Sequence, residues 1–409
     1  MRRPPTWLPL AMAALLLGAC RNSSPAPQEA AQPREMNWAE IVHAAHGQTV
    51  TLAMWQGDPA INAYMQKYVA SHLKKDYGIT LTIIAAQGGN IVTQLMTEIE
   101  AGSSQSAYDM VWINGSTFYQ LRQIRGLFGP FTDKLPNNVY VNWASPFIAY
   151  DFQQPVDGYE CPWGNVQLLL ITDSARVPIV PRSPQALAAW IHAHPGRFTF
   201  DTSFTGLGFL KSLMYAFADS PAQLQGPFNQ ARYEPLKRRL FAWVRGVRAD
   251  LWHHGESFPT DVAQLHQLFA NGEVDFTMSF NDGEVGNKID IGLFPPTAQA
   301  FVLDTGTLQN SHYLGITAGA AHKAAAMVVA NFLISPAAQL EKQKPDVWGD
   351  GTVLDVHKLP PEWRERFESL AARSHAPPRA QIEGNALREP APELMIHLSN
   401  DFNEEILGR

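Results

Sequence analysis

Three runs rich in β-branched and apolar residues, at 48–55 (QTVTLAMW), 79–86 (ITLTIIAA) and 108–113 (YDMVWI), are each followed by a stretch with helical spacing. This alternation constrains the fold more than any other feature. Strands separated by helices pair in parallel through right-handed crossovers, and both faces of the sheet become covered. Signals at the helix ends agree. Asn37 stands three residues before Glu40, the spacing of a capping box. Pro59 takes a first helical position, and Gly78 closes the helix that carries Tyr64, Met65, Tyr68 and Val69. Ile91, Leu95 and Ile99 form one row of the next helix, with Val92 and Met96 beside it. A further helix is expected over about 116–125.

One such unit does not account for 409 residues that are 45% hydrophobic. A chain of that length exceeds a single ordinary core, so two lobes are expected. Residues 126–164 read as mostly irregular, and 166–172 (VQLLLIT) as a buried strand. Ser183-Pro184 is a cap with proline behind it, opening a helix with Leu187, Trp190 and Ile191. A short strand is read at 197–200, before a helix carrying Leu210, Leu213, Met214 and Phe217. Residues 262–270 read as an amphipathic helix, and 274–280 and 289–294 as strands. An Ala-rich helix spans about 320–334, Ser335-Pro336 starts another, and the tail from about 359 reads as helical with Pro-rich breaks. No internal repeat is found.

The N-terminus bears on compartment. Arg2 and Arg3 precede an apolar run at 7–19 that is shorter than the roughly 20 residues needed to span a bilayer. With the small residues behind it, this is a secretory signal. Leu17-Gly18-Ala19-Cys20 resembles the bacterial lipobox, which implies removal of residues 1–19 and diacylation of Cys20. Acyl chains on one residue tether a protein without making it span the membrane. Residues 20–36 are rich in Pro, Ala, Ser and Gln and read as a disordered, solvated tether. The chain has two cysteines. With Cys20 lipidated, Cys161 has no partner and reads as a buried small hydrophobe rather than a reactive thiol. The net charge of -7 argues against nucleic acid as a partner.

Further resemblance lies in longer stretches. GNVQLLLITDSARVP runs into SPQALAAW, and NSHYLGITAGA is followed by AAAMVVANFLISPAAQ. This order is similar to the extracytoplasmic solute-binding proteins of bacterial ABC importers, of the type II periplasmic-binding-protein fold, nearest their YnjB-like subgroup. That subgroup is related to thiamine, iron and polyamine binders. The resemblance implies an α/β chain with two lobes, each a mostly parallel sheet flanked by helices, joined by two strand crossovers, with a ligand in the cleft. The lobes are placed at 37–171 for the first, 172–295 for the second and 296–345 for the return to the first. Residues 346–409 form a C-terminal, mostly helical segment. The chain is then expected to be a monomeric periplasmic lipoprotein that delivers a small solute to an ABC permease, without a cofactor.

Ligands of open α/β sheets sit beyond the carboxyl ends of strands. That rule nominates Trp55 and Asp58 after the first strand, Gly89 and Asn90 after the second, and Asn114 and Ser116 after the third. Trp163 lies just before the first crossing. In the second lobe it nominates Asp201, Thr205, Asn281, Asp282 and Glu284. Gly88-Gly89-Asn90 reads either as amides at a helix N-terminus for an anion or as a plain capped turn. Trp55 reads as a stacking face or as core. Asp282 and Glu284 are hard to bury without a partner, which a cationic ligand would supply; a solvated turn is the other reading. Together these residues favour an organic cation such as thiamine or a derivative. No motif for a nucleophile, a metal or a phosphate loop is present. His253-His254 with Glu256 is the densest metal-like cluster, and adjacent histidines point apart, so neither a catalytic nor a metal site is assigned. The alternative function is a lipid-anchored periplasmic hydrolase using the cleft carboxylates.

Overall fold

The structure is a computed structural model that describes Met1 and residues 32–281 and 283–408. The signal segment, Cys20, most of the tether and Asp282 therefore lie outside the described residues. No single described helix is long and apolar enough to cross a membrane.

The described residues form twelve strands: β1 (Thr49–Met54), β2 (Thr80–Ala85), β3 (Met110–Ile113), β4 (Leu127–Phe128), β5 (Tyr150–Asp151), β6 (Gln154–Pro155), β7 (Glu160–Gln167), β8 (Leu169–Asp173), β9 (Phe276–Ser279), β10 (Ala298–Phe301), β11 (Thr307–Thr317) and β12 (Ala386–Arg388). The first lobe is built on a seven-stranded sheet with the path β12-β11-β3-β1-β2, to which β4 and β7 add through β11. The second lobe is built on a three-stranded sheet, β10-β8-β9. The chain is thus α/β and two-lobed.

The opening alternation folds as its pattern dictates. β1 pairs in parallel with β2 and β3. The Asn37 capping box forms with Glu40, Pro59 begins its helix, and Gly78 caps the helix Ala70–Tyr77 at φ 70°. The parallel expectation ends there. β11 runs antiparallel to β3, β4 and β7, and β8 is antiparallel to both β9 and β10. Those strands are joined by long excursions rather than by one-helix crossovers, so nothing forces them to run alike.

Residues 166–172 are not one strand. They straddle the point where the chain leaves one sheet for the other: β7 ends at Gln167, β8 starts at Leu169, and Leu168 between them is fully buried. The return falls between β10 and β11. Residues 197–200 form no strand, and only single backbone bonds run from Asp275 N to Arg197 O and from Trp252 N to Phe198 O. Residues 289–294 are not a strand either. Ile289 and Asp290 finish the helix Glu284–Asp290, and Gly292 at φ 72° turns the chain. β11, eleven residues long, lies where the sequence pattern gives no strand, and it is the hub of the larger sheet. Cys161 is fully buried within β7.

The tail joins both lobes. Trp348, Val353, Leu359 and Phe367 pack in the core of the larger sheet. Ile382 and residues of the helix Pro392–Phe402 (Leu394, Leu398 and Phe402) pack in the core of the smaller one. β12 pairs with β11, and in the chain it lies between Ile382 and the helix Pro392–Phe402.

Candidate functional site

The carboxyl ends of β1, β2, β3 and β9 converge on one cleft of about 360 Å³, lined from both lobes. Trp55 and Asp58 enter from the end of β1, Gly89 from the helix after β2, and Asn114 and Ser116 from the turn after β3. Thr205 and Asn281 enter from the second lobe, with Glu284 behind them.

The first-lobe wall is aromatic. Trp112, one residue from the end of β3, lies 4.9 Å from Trp163 and 6.1 Å from Trp348 between ring centroids. His312 stacks on Trp348 at 5.7 Å and 10°. The register explains how an imidazole fits there: His312 of β11 sits opposite Gly164 of β7. A Cβ on Gly164 would collide with His312 Nε2 and with Asp350 Oδ2. His312 Nε2 is 3.1 Å from Asp350 Oδ2, and Lys342 donates to the same carboxylate. Burial alone would raise the Asp350 carboxyl, but Lys342 and His312 overcome it and push it down to about 2.

The second-lobe wall meets the first through another buried ion cluster. Lys288 of the helix Glu284–Asp290 pairs with Asp58 and lies 3.2 Å from Glu284 Oε1. The Asp58 carboxylate is also used by its own helix, since its Oδ1 accepts from Ala60 N at 2.7 Å and Ile61 N at 3.0 Å. His266 Nε2 stands 3.2 Å from Glu284 Oε1, and Ser279 donates to Glu284. Against the effect of burial, His266, Lys288 and Ser279 hold Glu284 well below the usual carboxylate range. Burial, with Glu284 beside it, raises Asp58. Close by, Asn287 donates to Trp348 O at 2.7 Å. Gly283 lies so near Gly349 that a Cβ on it would strike that backbone.

The structure thus brings eight nominated residues to the cleft: Trp55, Asp58, Gly89, Asn114, Ser116, Thr205, Asn281 and Glu284. Three others lie off it. Asn90 is exposed on its helix. Trp163 is fully buried behind Trp112 and Trp348. Asp201 is buried at the start of the helix Phe204–Phe217, where its Oδ1 accepts from Ser203 N and Oγ at 2.9 and 2.5 Å. Contrary to the expectation from sequence, Glu284 needs no external cation, because Lys288 supplies the charge from within. Asp282 lies outside the described residues. Gly115 N donates to Asp151 Oδ2 at 2.5 Å, so that amide is taken by the protein itself.

Sequence reasoning missed Trp112, Asn310, His312, Trp348 and Asp350, all of which line the cleft. Trp112 sits inside an apolar strand pattern, His312 in a stretch where the sequence pattern gives no strand, and Trp348-Gly349-Asp350 in a tail without a readable period. A glycine inside β7 opposite a histidine was the available signal, readable only once the two strands are known to pair.

Comparisons with known proteins follow the same outline. The family described as bacterial extracellular solute-binding protein matches residues 38–368. Protein YnjB of Escherichia coli strain K12 is 36% identical over 349 residues, covering 84% of this chain and 89% of that protein. Among solved structures, the periplasmic binding protein AfuA from Actinobacillus pleuropneumoniae, with fructose-6-phosphate bound, aligns at TM-score 0.61 and 12% identity. That alignment covers 88% of this chain and 98% of AfuA. Iron-bound HitA from Pseudomonas aeruginosa aligns at 0.58 and 16% identity, covering 86% and 98%. At such identities these structures speak for the fold alone.

Proposed function

We propose, from the premise that the chain belongs to the bacterial extracellular solute-binding protein family, that it captures one small solute between its lobes, closes over it and hands it unchanged to an ABC permease. The closure is a hinge motion, with the strand passages at Leu168 and between β10 and β11 as the segments that bend. We take the first lobe as the chain from 37 to the passage at Leu168 and again from the return between β10 and β11, the second lobe as the stretch between those passages, which shifts the bounds expected at 171 and 296, and the tail as joining both. The chain acts as a periplasmic monomer moored by lipid on Cys20. The family assignment gives the hydrolase alternative no support.

One observation carries the reading of the ligand. Three cleft-lining residues have buried polar atoms with no hydrogen-bond partner among the described residues: Trp348 Nε1, Asn310 Oδ1 and Asp350 Oδ1. Buried polar groups are normally paired, and a ligand is what would pair these. They offer one donor and two acceptors beside the faces of Trp55 and Trp112. A flat solute bearing N–H donors fits that set, and thiamine or a derivative is the class to test first. Support for an organic cation therefore moves from the acidic residues, which have partners of their own, to indole faces and unpaired acceptors. In the fold neighbours one ligand is iron and another a sugar phosphate, so architecture alone does not choose.

Native mass spectrometry of the protein taken from its own cells tests this. The expected result is one small molecule per chain, released chemically intact on acid unfolding, with thiamine or a derivative restoring the mass shift to the emptied protein. A solute recovered in altered form would overturn the binder reading. An intact solute without a ring or an amine would overturn only the ligand class.

A further inference from the structure

A second concavity, of about 670 Å³, lies on the first lobe and shares no lining residue with the cleft. Four cationic side chains line it: Arg34, Arg122, Arg125 and Lys323. No lining residue is acidic, although the chain as a whole carries a net charge of -7. Its floor is aromatic. The Arg122 guanidinium lies 3.5 Å from the centroid of the Tyr159 ring, and Lys323 Nζ lies 5.7 Å from that of Phe128.

Arg122 is what makes this more than a basic patch. Its Nη1 is buried and has no hydrogen-bond partner among the described residues. The nearby Glu160 does not neutralise it. That carboxyl is fully buried and makes no hydrogen bond or ion pair to Arg122 among the described residues; burial, with Asp151 beside it, raises it well above the usual range despite the pull of Arg122. A guanidinium fixed on an aromatic face, with a free donor and no paired carboxylate, suits oxyanion recognition, because its planar fork matches phosphate oxygens. Arg34 and Arg125 are exposed at the rim, where they add attraction that salt screens.

We propose that this groove is a binding site for a phosphate-type oxyanion, with Arg122 as its anchor and Arg34, Arg125 and Lys323 as its rim. Free phosphate and the phosphate of a lipid headgroup carry the same chemistry. The groove opens beside Gln32 and Arg34, at the end of the segment 20–36 read as a tether, which would bring a lipid headgroup near it. The site goes beyond solute capture in the cleft and does not depend on it.

The test uses the full chain with Cys20→Ser, so that acyl insertion does not intervene. Inorganic phosphate is titrated by calorimetry, and co-sedimentation is measured with vesicles of phosphatidylglycerol or of phosphatidylcholine. Arg122→Gln is expected to weaken phosphate binding about tenfold, the loss of one charge-assisted contact. Arg125→Gln, at an exposed position, is expected to weaken it less, and it keeps the test open if Arg122→Gln does not fold. Lys75→Gln, exposed and outside the groove, is expected to change nothing. Binding of phosphate and of phosphatidylglycerol vesicles, both lost in Arg122→Gln, identifies the lipid headgroup as an occupant. Binding of phosphate alone identifies the free ion. No phosphate binding, or a loss as large in Lys75→Gln as in the groove variants, would overturn the proposal.

Discussion

Two buried lysines make the same kind of contact in two different places. Lys342 and Asp350 are eight residues apart in the chain, both belong to the first lobe, and both side chains are fully buried. Lys288 and Asp58 are 230 residues apart and join the second lobe to the first across the cleft. The first pair has no way to separate without unfolding the lobe that holds it. If the lobes move as proposed, the second separates without unfolding either of them, and both charges return to water. Buried ion pairs are poor evidence of net stability, but breaking one is costly when the orphaned charge has no exit. Equal chemistry thus serves a lobe's integrity in one place and the relation between lobes in the other.

The largest effect expected is on Lys342→Met. It leaves Asp350 buried with only His312 beside it, and it should lower unfolding stability by about 3–5 kcal/mol in urea titration. A loss under 1 kcal/mol would break the contrast. Lys288→Met should cost about half as much, because Asp58 can escape to solvent and Glu284 keeps His266. Its main signature should instead be a wider spread of interlobe distances. A variant that loses as much stability as Lys342→Met with no change in lobe spacing would contradict the distinction.

Acid sharpens the same contrast. Asp350 is held at about 2 in the folded chain against an ordinary value of 3.8. Its pairing therefore stabilises the protein above the ordinary value and is lost as the pH falls from about 4 toward 2. That amounts to about 2 kcal/mol at neutral pH. Asp58 is raised instead, by burial and by Glu284, so on acidification it takes up its proton first. Lobe spacing is thus expected to change at a higher pH than unfolding does, as seen by small-angle scattering beside circular dichroism. Coincident transitions would show the two clusters to be one unit.

How much of this was legible in the sequence follows from range. The βαβ start was legible because Asn37, Pro59 and Gly78 act on their immediate neighbours. The strand directions of the second lobe were not, because β8 meets β9 and β10 over a hundred residues further along the chain. The rule of strand ends found Trp55, Asn114 and Asn281, since those positions need only a local turn. It could not find His312 or Asp350, whose placement depends on β11 lying beside Gly164 of β7. It also overcalled the acids. A carboxylate in a short segment looks unpartnered until Lys288 arrives one helical turn later, with Asp58 brought in from the other lobe.

The smallest effect concerns the aromatic wall. Trp112→Phe, on the cleft surface, should weaken solute binding by about 1 kcal/mol through lost ring area. Trp163→Phe, behind it, should leave affinity nearly unchanged and lower stability instead. Isothermal titration and melting curves separate the two, and reversal of that order would place the ligand elsewhere.

The most direct measurement is the distance between the lobes with and without solute. Val139 on the first lobe and Ile179 on the second are 66% and 84% exposed, and Cys161 is buried. Spin labels at those two positions, with Cys20→Ser, therefore report on the lobes alone. Adding the solute recovered from the native protein is expected to collapse a broad distance distribution to a single shorter one, while the solute stays intact. A distribution that does not move while the solute is bound would contradict the claim that this chain closes over its ligand.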